Sequence, residues 1–517
     1  MFNFKKGNKN DETTSANNKL QEPTKHNTKK ELKETLNTLP KEEFTNLIRE
    51  KINNPSDYAV KNIDENLTLI YVENLVEAQA LTDLIIPTLQ NISEPTPQSI
   101  KNELPVSQID ISDQLDVIVY ELLIGAALIH TKDHAEVVIA KISSYQSRGL
   151  SAPENESQVV GSQVGFNENL ATNVSLVRRF ITSPNLCNEK FEVGEDTLTS
   201  IRMLYIKGLA SEEQVNTIRQ RIEGLKISGL IDSAILAELI DDSTKTIFPQ
   251  MMLTERPDRF CDGLLSGKIG IMMNGSSMGI VTPVAFIEFF HSKEDQNLRW
   301  QIGTLLRLLR FSAMIFSILL TPIYVAALTY HYEIISQTLI VPLSESRAIV
   351  PFPPIFEALL LELIIELLRE AGSRLPTKVG QTVGIVGGIV IGTAAVDAGI
   401  TSNILIIFVA LSALASFTTP NYVMANIIRF LRFPMILMAG LWGFLGIMLA
   451  VCFIIIHLLR LTSLGAPYLA PLYPFRLKDI PNSLIRAPLN IISRQAVNTR
   501  KGDDTTAIQE DSKKVSE

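Results

Sequence analysis

The chain reads as multi-domain: a two-lobed α/β N-terminal head, expected in the cytoplasm, followed by an α-helical polytopic membrane domain. Three observations predict this. Up to about residue 300, polar and apolar residues mix as in soluble protein. From Phe311 to Arg460 the apolar runs lengthen, and Phe311–Tyr330 carries no formal charge over about the length that crosses a bilayer. Mean hydropathy is +0.18, as for a chain part soluble and part membrane-bound.

Taken in order, residues 1–38 are rich in Lys, Asn, Thr and Glu and poor in large apolar side chains. They cannot bury enough surface to offset chain entropy, which predicts a disordered polar tail. Residues 39–148 form the first α/β lobe. Lys41–Lys51 reads as helix, Leu67–Val72 as strand, Leu75–Leu89 as a helix ending near Pro87, and Asp113–Leu123 as a helix capped by Ser112 or Asp113. The runs AALI and VVIA within Gly125–Ala140 flank polar Thr131–His134, which predicts a hairpin. Residues 149–165, rich in Ser, Gly, Pro and Glu, read as a linker. The second α/β lobe spans 166–300. Asn169–Thr182 and Ser211–Leu225 read as helices and Ser200–Ile206 as strand. Asn274-Gly275 between two apolar runs signals a second hairpin.

The membrane domain is placed at 301–475, with a basic, Pro-interrupted tail over 476–517. Val383–Val396, Ile404–Phe417 and Met435–His457 are further apolar stretches. Residues 355–368 are ambiguous. Ten of the fourteen are Ile, Leu or Phe, but Glu357, Glu362 and Glu366 interrupt them. Insertion alone into lipid would cost roughly 2 to 7 kcal/mol. The segment is therefore either an interfacial amphipathic helix or a helix facing a wet cavity, and four or five spans follow. Five spans put Arg374, Lys378, Arg429 and Arg432 inside and the tail outside; four spans do the reverse. Arg299, Arg307 and Arg310 before the first apolar run, and the absence of an apolar run after the basic start, favour a cytoplasmic head.

Gly380, Gly384, Gly388 and Gly392 recur every fourth residue and draw a helix-packing groove, without naming the partner. Glu357, Glu362, Glu366 and Asp397 are candidate ion-path or gating acids. Against this stand a solvated helix face for the glutamates and a headgroup-level carboxylate for Asp397. Glu362 and Glu366 share a helix face, and Arg369 is spaced to pair with Glu366.

The net charge of −8 gives no electrostatic case for nucleic acid. Cys187, Cys261 and Cys452 are far apart and in no metal-ligand spacing. His130 and His134 fall on a hairpin turn, not a helix. There is no Walker-type phosphate loop and no Gly-x-Ser-x-Gly elbow. No catalytic residue, metal or cofactor is expected, and the chain does not read as an enzyme.

Several strings carry a resemblance. They include Ser183-Pro-Asn-Leu186, Phe248-Pro-Gln250 and Thr254-Glu-Arg-Pro-Asp258. The longest is Val350-Pro-Phe-Pro-Pro-Ile-Phe-Glu-Ala-Leu359, running into Glu366-Leu-Leu-Arg-Glu-Ala-Gly372. Arg374-Leu-Pro376, Gly380-Gln-Thr382, Val386-Gly-Gly388, Val390-Ile-Gly392, Ala413-Leu-Ala-Ser-Phe-Thr418 and Leu431-Arg-Phe433 follow. Over about residues 165–490 the chain resembles the A subunit of a GerA-type spore germinant receptor.

That resemblance implies an A subunit in the inner membrane of the dormant spore. It works with a permease-like B subunit and a lipoprotein C subunit. Nutrient binding, attributed mainly to the B subunit, releases ions and then dipicolinate. It also implies a homo-oligomer in membrane lipid that forms the ion-conducting path. An AF-type protein of sporulation stage V is the alternative within the same membrane block. A non-conducting scaffold is the alternative from another class. A secondary transporter would need inverted repeats, which the sequence does not display.

Overall fold

The computed structural model describes residues 40–475 and 483–488, apart from 93, 145–151, 154–155, 157, 159, 376–387, 389 and 391. The polar tail 1–38, Gly380, Gly384 and most of the C-terminal tail lie outside the described residues. The chain forms two compact units. One holds residues up to Lys51 and Tyr58–Ser144. The other holds Ile52–Asp57 and everything from Tyr145 onward, so the second lobe and the helical region are one unit.

In the first unit, helix α1 (Lys41–Lys51) precedes strands β1 (Tyr58–Asp64) and β2 (Leu67–Val72). A helical run then passes through Ala78–Ala80, a π turn at Leu81–Ile85 and α2 (Ile86–Asn91). The sequence expectation ended this helix near Pro87. Instead Pro87 sits in the first turn after the π turn, where its missing N–H interrupts no regular ladder. Next come α3 (Pro97–Glu103), β3 (Ile109–Ser112), α4 (Leu115–Ile124), β4 (Ala126–Thr131) and β5 (Val137–Lys141). Helix α4 starts after Gln114, which makes no side-chain cap, and ends on Gly125 at φ +105°. The sheet is antiparallel, ordered β1-β2-β4-β5-β3. The fully buried β4 packs Leu128 and Ile129 into the core, and the predicted β4–β5 hairpin is present.

The second lobe repeats this order of elements. Helix α5 (Leu170–Phe180), capped by Asn169 Oδ1 on Thr172 N, precedes β6 (Leu186–Val193) and β7 (Thr199–Ile206). Then follow α6 (Glu212–Glu223), α7 (Ser233–Ile240), β8 (Met252–Thr254), α8 (Pro257–Leu265), β9 (Ile269–Met273) and β10 (Gly279–Thr282). The order β6-β7-β9-β10-β8, antiparallel throughout, matches the first sheet position for position. Both lobes are thus one α/β plan used twice. Within the expected linker, Glu156 pairs with Arg259 at 2.6 Å, which fixes this stretch to the second lobe.

The helical region contains α9 (Trp300–Thr329), α10 (Gln337–Arg347), α11 (Pro354–Ser373), α12 (Asn403–Ser416) and α13 (Tyr422–Arg460). Two of these, α9 and α13, are long and apolar enough to cross a membrane, and α12 is a shorter apolar helix. As a straight rod the 39 residues of α13 would reach about 58 Å. Yet Asn421 and Val423 line a cavity with Thr246 and Phe248, while Thr246 Oγ1 lies 2.9 Å from His457 Nε2. Both ends of α13 therefore meet the second lobe. The reversal is at Gly443 (φ +60°, ψ −140°), a conformation that only glycine adopts without strain. The expected single span at 435–457 is instead the tip and returning limb of a helical hairpin, 422–442 and 444–460.

Candidate functional site

The helical region has an apolar core, yet it buries several charged groups and turns many large apolar side chains outward. On α11 the carboxylates Glu357 and Glu362 are buried, while Phe356, Leu360, Leu363 and Leu367 are exposed. On α12, Ser412 and Ser416 face inward and Ile407, Leu411 and Leu414 outward. On α13, Arg429 and Arg432 are buried, whereas Leu445, Met448, Leu449 and Phe453 are exposed. Large apolar side chains turned outward, over a buried apolar core that also holds these charged and hydroxyl groups, fit a lipid solvent.

Three of the four predicted acids are held inside or at the edge of this bundle. Glu357 Oε2 pairs with Arg347 Nη1 at 2.8 Å, and its Oε1 accepts from Thr401 Oγ1 at 3.0 Å and Ser402 N at 2.5 Å. Tyr324 on α9 meets the Ser402 hydroxyl at 3.0 Å, so this carboxylate gathers α9, α10 and the start of α12. Glu362, 2% exposed, pairs with Arg432 at 2.8 Å and accepts from Thr321 Oγ1 at 3.2 Å. Arg432 also reaches Ser412 Oγ at 3.3 Å, and Ser412 donates to the Ser317 carbonyl at 2.8 Å. One ion pair thereby joins α9, α11, α12 and α13. Glu366 is half-buried and pairs with Arg369 three residues on. Asp397 is exposed. At Gly388 and Gly392 an added Cβ would meet nothing within 4 Å among the described residues, so this glycine face is open on the chain itself.

Sequence reasoning missed the junction between the second lobe and the helices. At the entry to α9, Asp295 is fully buried and accepts from Arg310 Nη1 and Nη2 at 2.7 and 2.8 Å, with Arg307 Nε at 3.4 Å. His291 Nε2 lies 2.6 Å from the Ser483 carbonyl, which requires a proton on that nitrogen. Burial, and then the Arg307 charge beside it, hold the His291 pKa well below its ordinary value, so the ring is neutral. Arg486, expected in the basic C-terminal tail, is buried and donates to the Gln296 carbonyl at 2.6 Å.

At the exit from α13 the chain plugs back into the lobe. Ser463 Oγ donates to the Gln250 carbonyl at 2.6 Å and accepts from Val284 N at 3.0 Å. Tyr468, 0% exposed, donates to the Pro249 carbonyl at 2.7 Å. Thr462 Oγ1 and Gly465 N donate to Asp242 Oδ2 at 2.6 and 3.0 Å. Burial would raise the Asp242 carboxyl, but these bonds and Arg221 outweigh it and hold it low. Its neighbour Asp241 is pushed up to about 7 by burial first and by the Asp242 charge second. The sequence expectation puts the aromatic and proline run after Leu464 within the membrane domain, not against the lobe.

His130, expected on the hairpin turn, lies instead within strand β4. His130 stacks on Phe44 at 4.2 Å between centroids, and burial, with Lys41 nearby, pushes it down to about 4. Cys187 and Cys261 are buried free thiols and Cys452 is exposed. Among the described residues no three His, Cys, Asp or Glu side chains group as metal ligands.

A second α/β lobe joined to both ends of a helical region whose apolar side chains face outward fits a membrane-associated protein. Residues 46–497 match the family described as Bacillus/Clostridium GerA spore germination protein. The chain is 40% identical to spore germination protein GerQA of Bacillus cereus, over 84% of this chain and 88% of that one. It is 42% identical to GerIA of Bacillus cereus, over 88% of this chain and 69% of that one. It is 36% identical to spore germination protein KA of Bacillus subtilis, over 85% and 83%. The crystal structure of the N-terminal domain of the A subunit of the Bacillus megaterium spore germinant receptor GerK3 aligns at 26% identity and a TM-score of 0.36, covering 48% of this chain and 96% of that one. The chain belongs to the GerA family of spore germination proteins.

Proposed function

We propose that this protein is the A subunit of a nutrient germinant receptor, a multi-pass protein of the spore inner membrane whose head is cytoplasmic. It passes a nutrient signal from a permease-like B subunit and a lipoprotein C subunit into ion release, as the ion-conducting subunit of a homo-oligomer. The observation that carries this reading is that both ends of the helical region are built into the second lobe. Asp295 grips the start of α9, and Ser463 and Tyr468 lock the chain that leaves α13. A displacement of the lobe pulls on both ends at once.

The same geometry supports an even number of crossings, with the chain beyond α13 on the head side. On α11, Arg369 meets Asn426 at the lobe end, whereas Glu357 meets Ser402 at the far end. The glycine face at Gly380, Gly384, Gly388 and Gly392 serves packing between copies. Glu357 and Glu362 act as gating latches, and Glu366 and Asp397, which keep exposure, are the acids that meet ions.

Spores carrying Thr462→Val together with Ser463→Ala test the coupling. The account expects normal amounts of membrane-inserted protein and several-fold slower nutrient germination. Germination at the wild-type rate sinks it.

A further inference from the structure

We infer that Arg429, Arg369 and Asn426 form an anion site at the lobe end of the helices, which takes the phosphate of an anionic phospholipid. Arg429 is 4% exposed, on α13 about 10 Å beyond Tyr422. Among the described residues its hydrogen bond is to Asn426 Oδ1, a neutral acceptor that Arg369 Nη1 shares at 3.2 Å. The Nε atoms of Arg429 and Arg369 are buried without partners. Among the described residues no carboxylate pairs with Arg429. Glu362 is taken by Arg432, Glu366 by Arg369, and Glu370 by Arg374. Residues 376–391 contain no Asp or Glu. Three buried or half-buried guanidiniums thus face two carboxylates.

An uncompensated buried cation costs several kcal/mol and calls for an anion. The place favours a lipid. Met424, Ile427 and Ile428 next to it pack into the core of the second lobe, so the two arginines sit at the lobe end of the helices, the level of the head-side leaflet in the proposed membrane placement. Basic notches between helices at that level bind anionic headgroups. Phe430 and Leu367, each 60% exposed, flank the two arginines and offer apolar surface to an acyl chain, which a free phosphate does not use. The lipid source rests on the helical region lying in a bilayer; the anion site itself does not.

The test uses the full-length protein in zwitterionic detergent, with thermal midpoint and native mass spectrometry as readouts. The probes are phosphatidylglycerol, phosphatidylcholine and inorganic phosphate. Phosphatidylglycerol, and not phosphatidylcholine, should raise the midpoint and give bound lipid. Arg429→Gln should weaken that response about tenfold or more, the effect of losing a hydrogen bond to a charged group. Arg374→Gln should leave it unchanged. Without anionic lipid, Arg429→Gln should melt no lower than wild type, because it removes an uncompensated charge; this separates a lost site from a misfolded chain. Equal shifts from inorganic phosphate, lost in Arg429→Gln, keep the anion site and make free phosphate its source. No shift from either anion, or an undiminished lipid shift in Arg429→Gln, overturns the proposal.

Discussion

Glu362 and Arg432 show what residue chemistry does in this helical region. Removing one partner leaves the other charged and buried, so Glu362→Gln should cost roughly 3–5 kcal/mol. Pairing it with Arg432→Met should recover most of that loss. Chemical unfolding in detergent reads both, and additive losses in the double variant would refute a coupled pair. Asp241 makes a second test. Its folded-state pKa of about 7 lies above the ordinary 3.8, so the folded chain keeps a proton that the unfolded chain releases. Stability contributed there is complete below about pH 4 and falls as pH climbs through 7. Asp241→Asn should flatten that fall in thermal midpoints measured between pH 5 and 8. The Glu366–Arg369 pair was readable from spacing, because three residues on a helix are neighbours. The Glu362–Arg432 pair was not, because only the tertiary fold brings α11 against α13.

At the scale of elements, periodicity placed α1, β2, both hairpins and most helices of the head within a few residues. It failed at α13. An apolar run in lipid needs no polar turn to reverse, so a lone Gly443 left no mark beside its apolar neighbours. That glycine is strained for any other residue, and an added Cβ would come within 2.9 Å of His331 Nε2. Gly443→Ala should therefore destabilise the chain by about 1–3 kcal/mol. The open face at Gly388 and Gly392 predicts the opposite behaviour. Gly388→Leu with Gly392→Leu should leave the protomer's thermal midpoint unchanged while breaking the oligomer, as size-exclusion chromatography with light scattering would show. A large fall in the midpoint would mean the face packs within the chain.

Across the whole molecule, the two lobes share one strand order. Backbone topology survives when side chains diverge, because it depends on apolar pattern and not on residue identity. The second lobe and the helices are joined at Asp295 and again at Ser463 and Tyr468, which is the basis of the proposed coupling between lobe and helices. Conduction by those helices is the central claim. Ion flux into liposomes holding the purified full-length protein tests it most directly, beside a Gly384→Leu, Gly388→Leu variant. Flux in the wild type and none in the variant is the predicted result. No flux from either, with oligomers intact by light scattering, would contradict conduction by this chain.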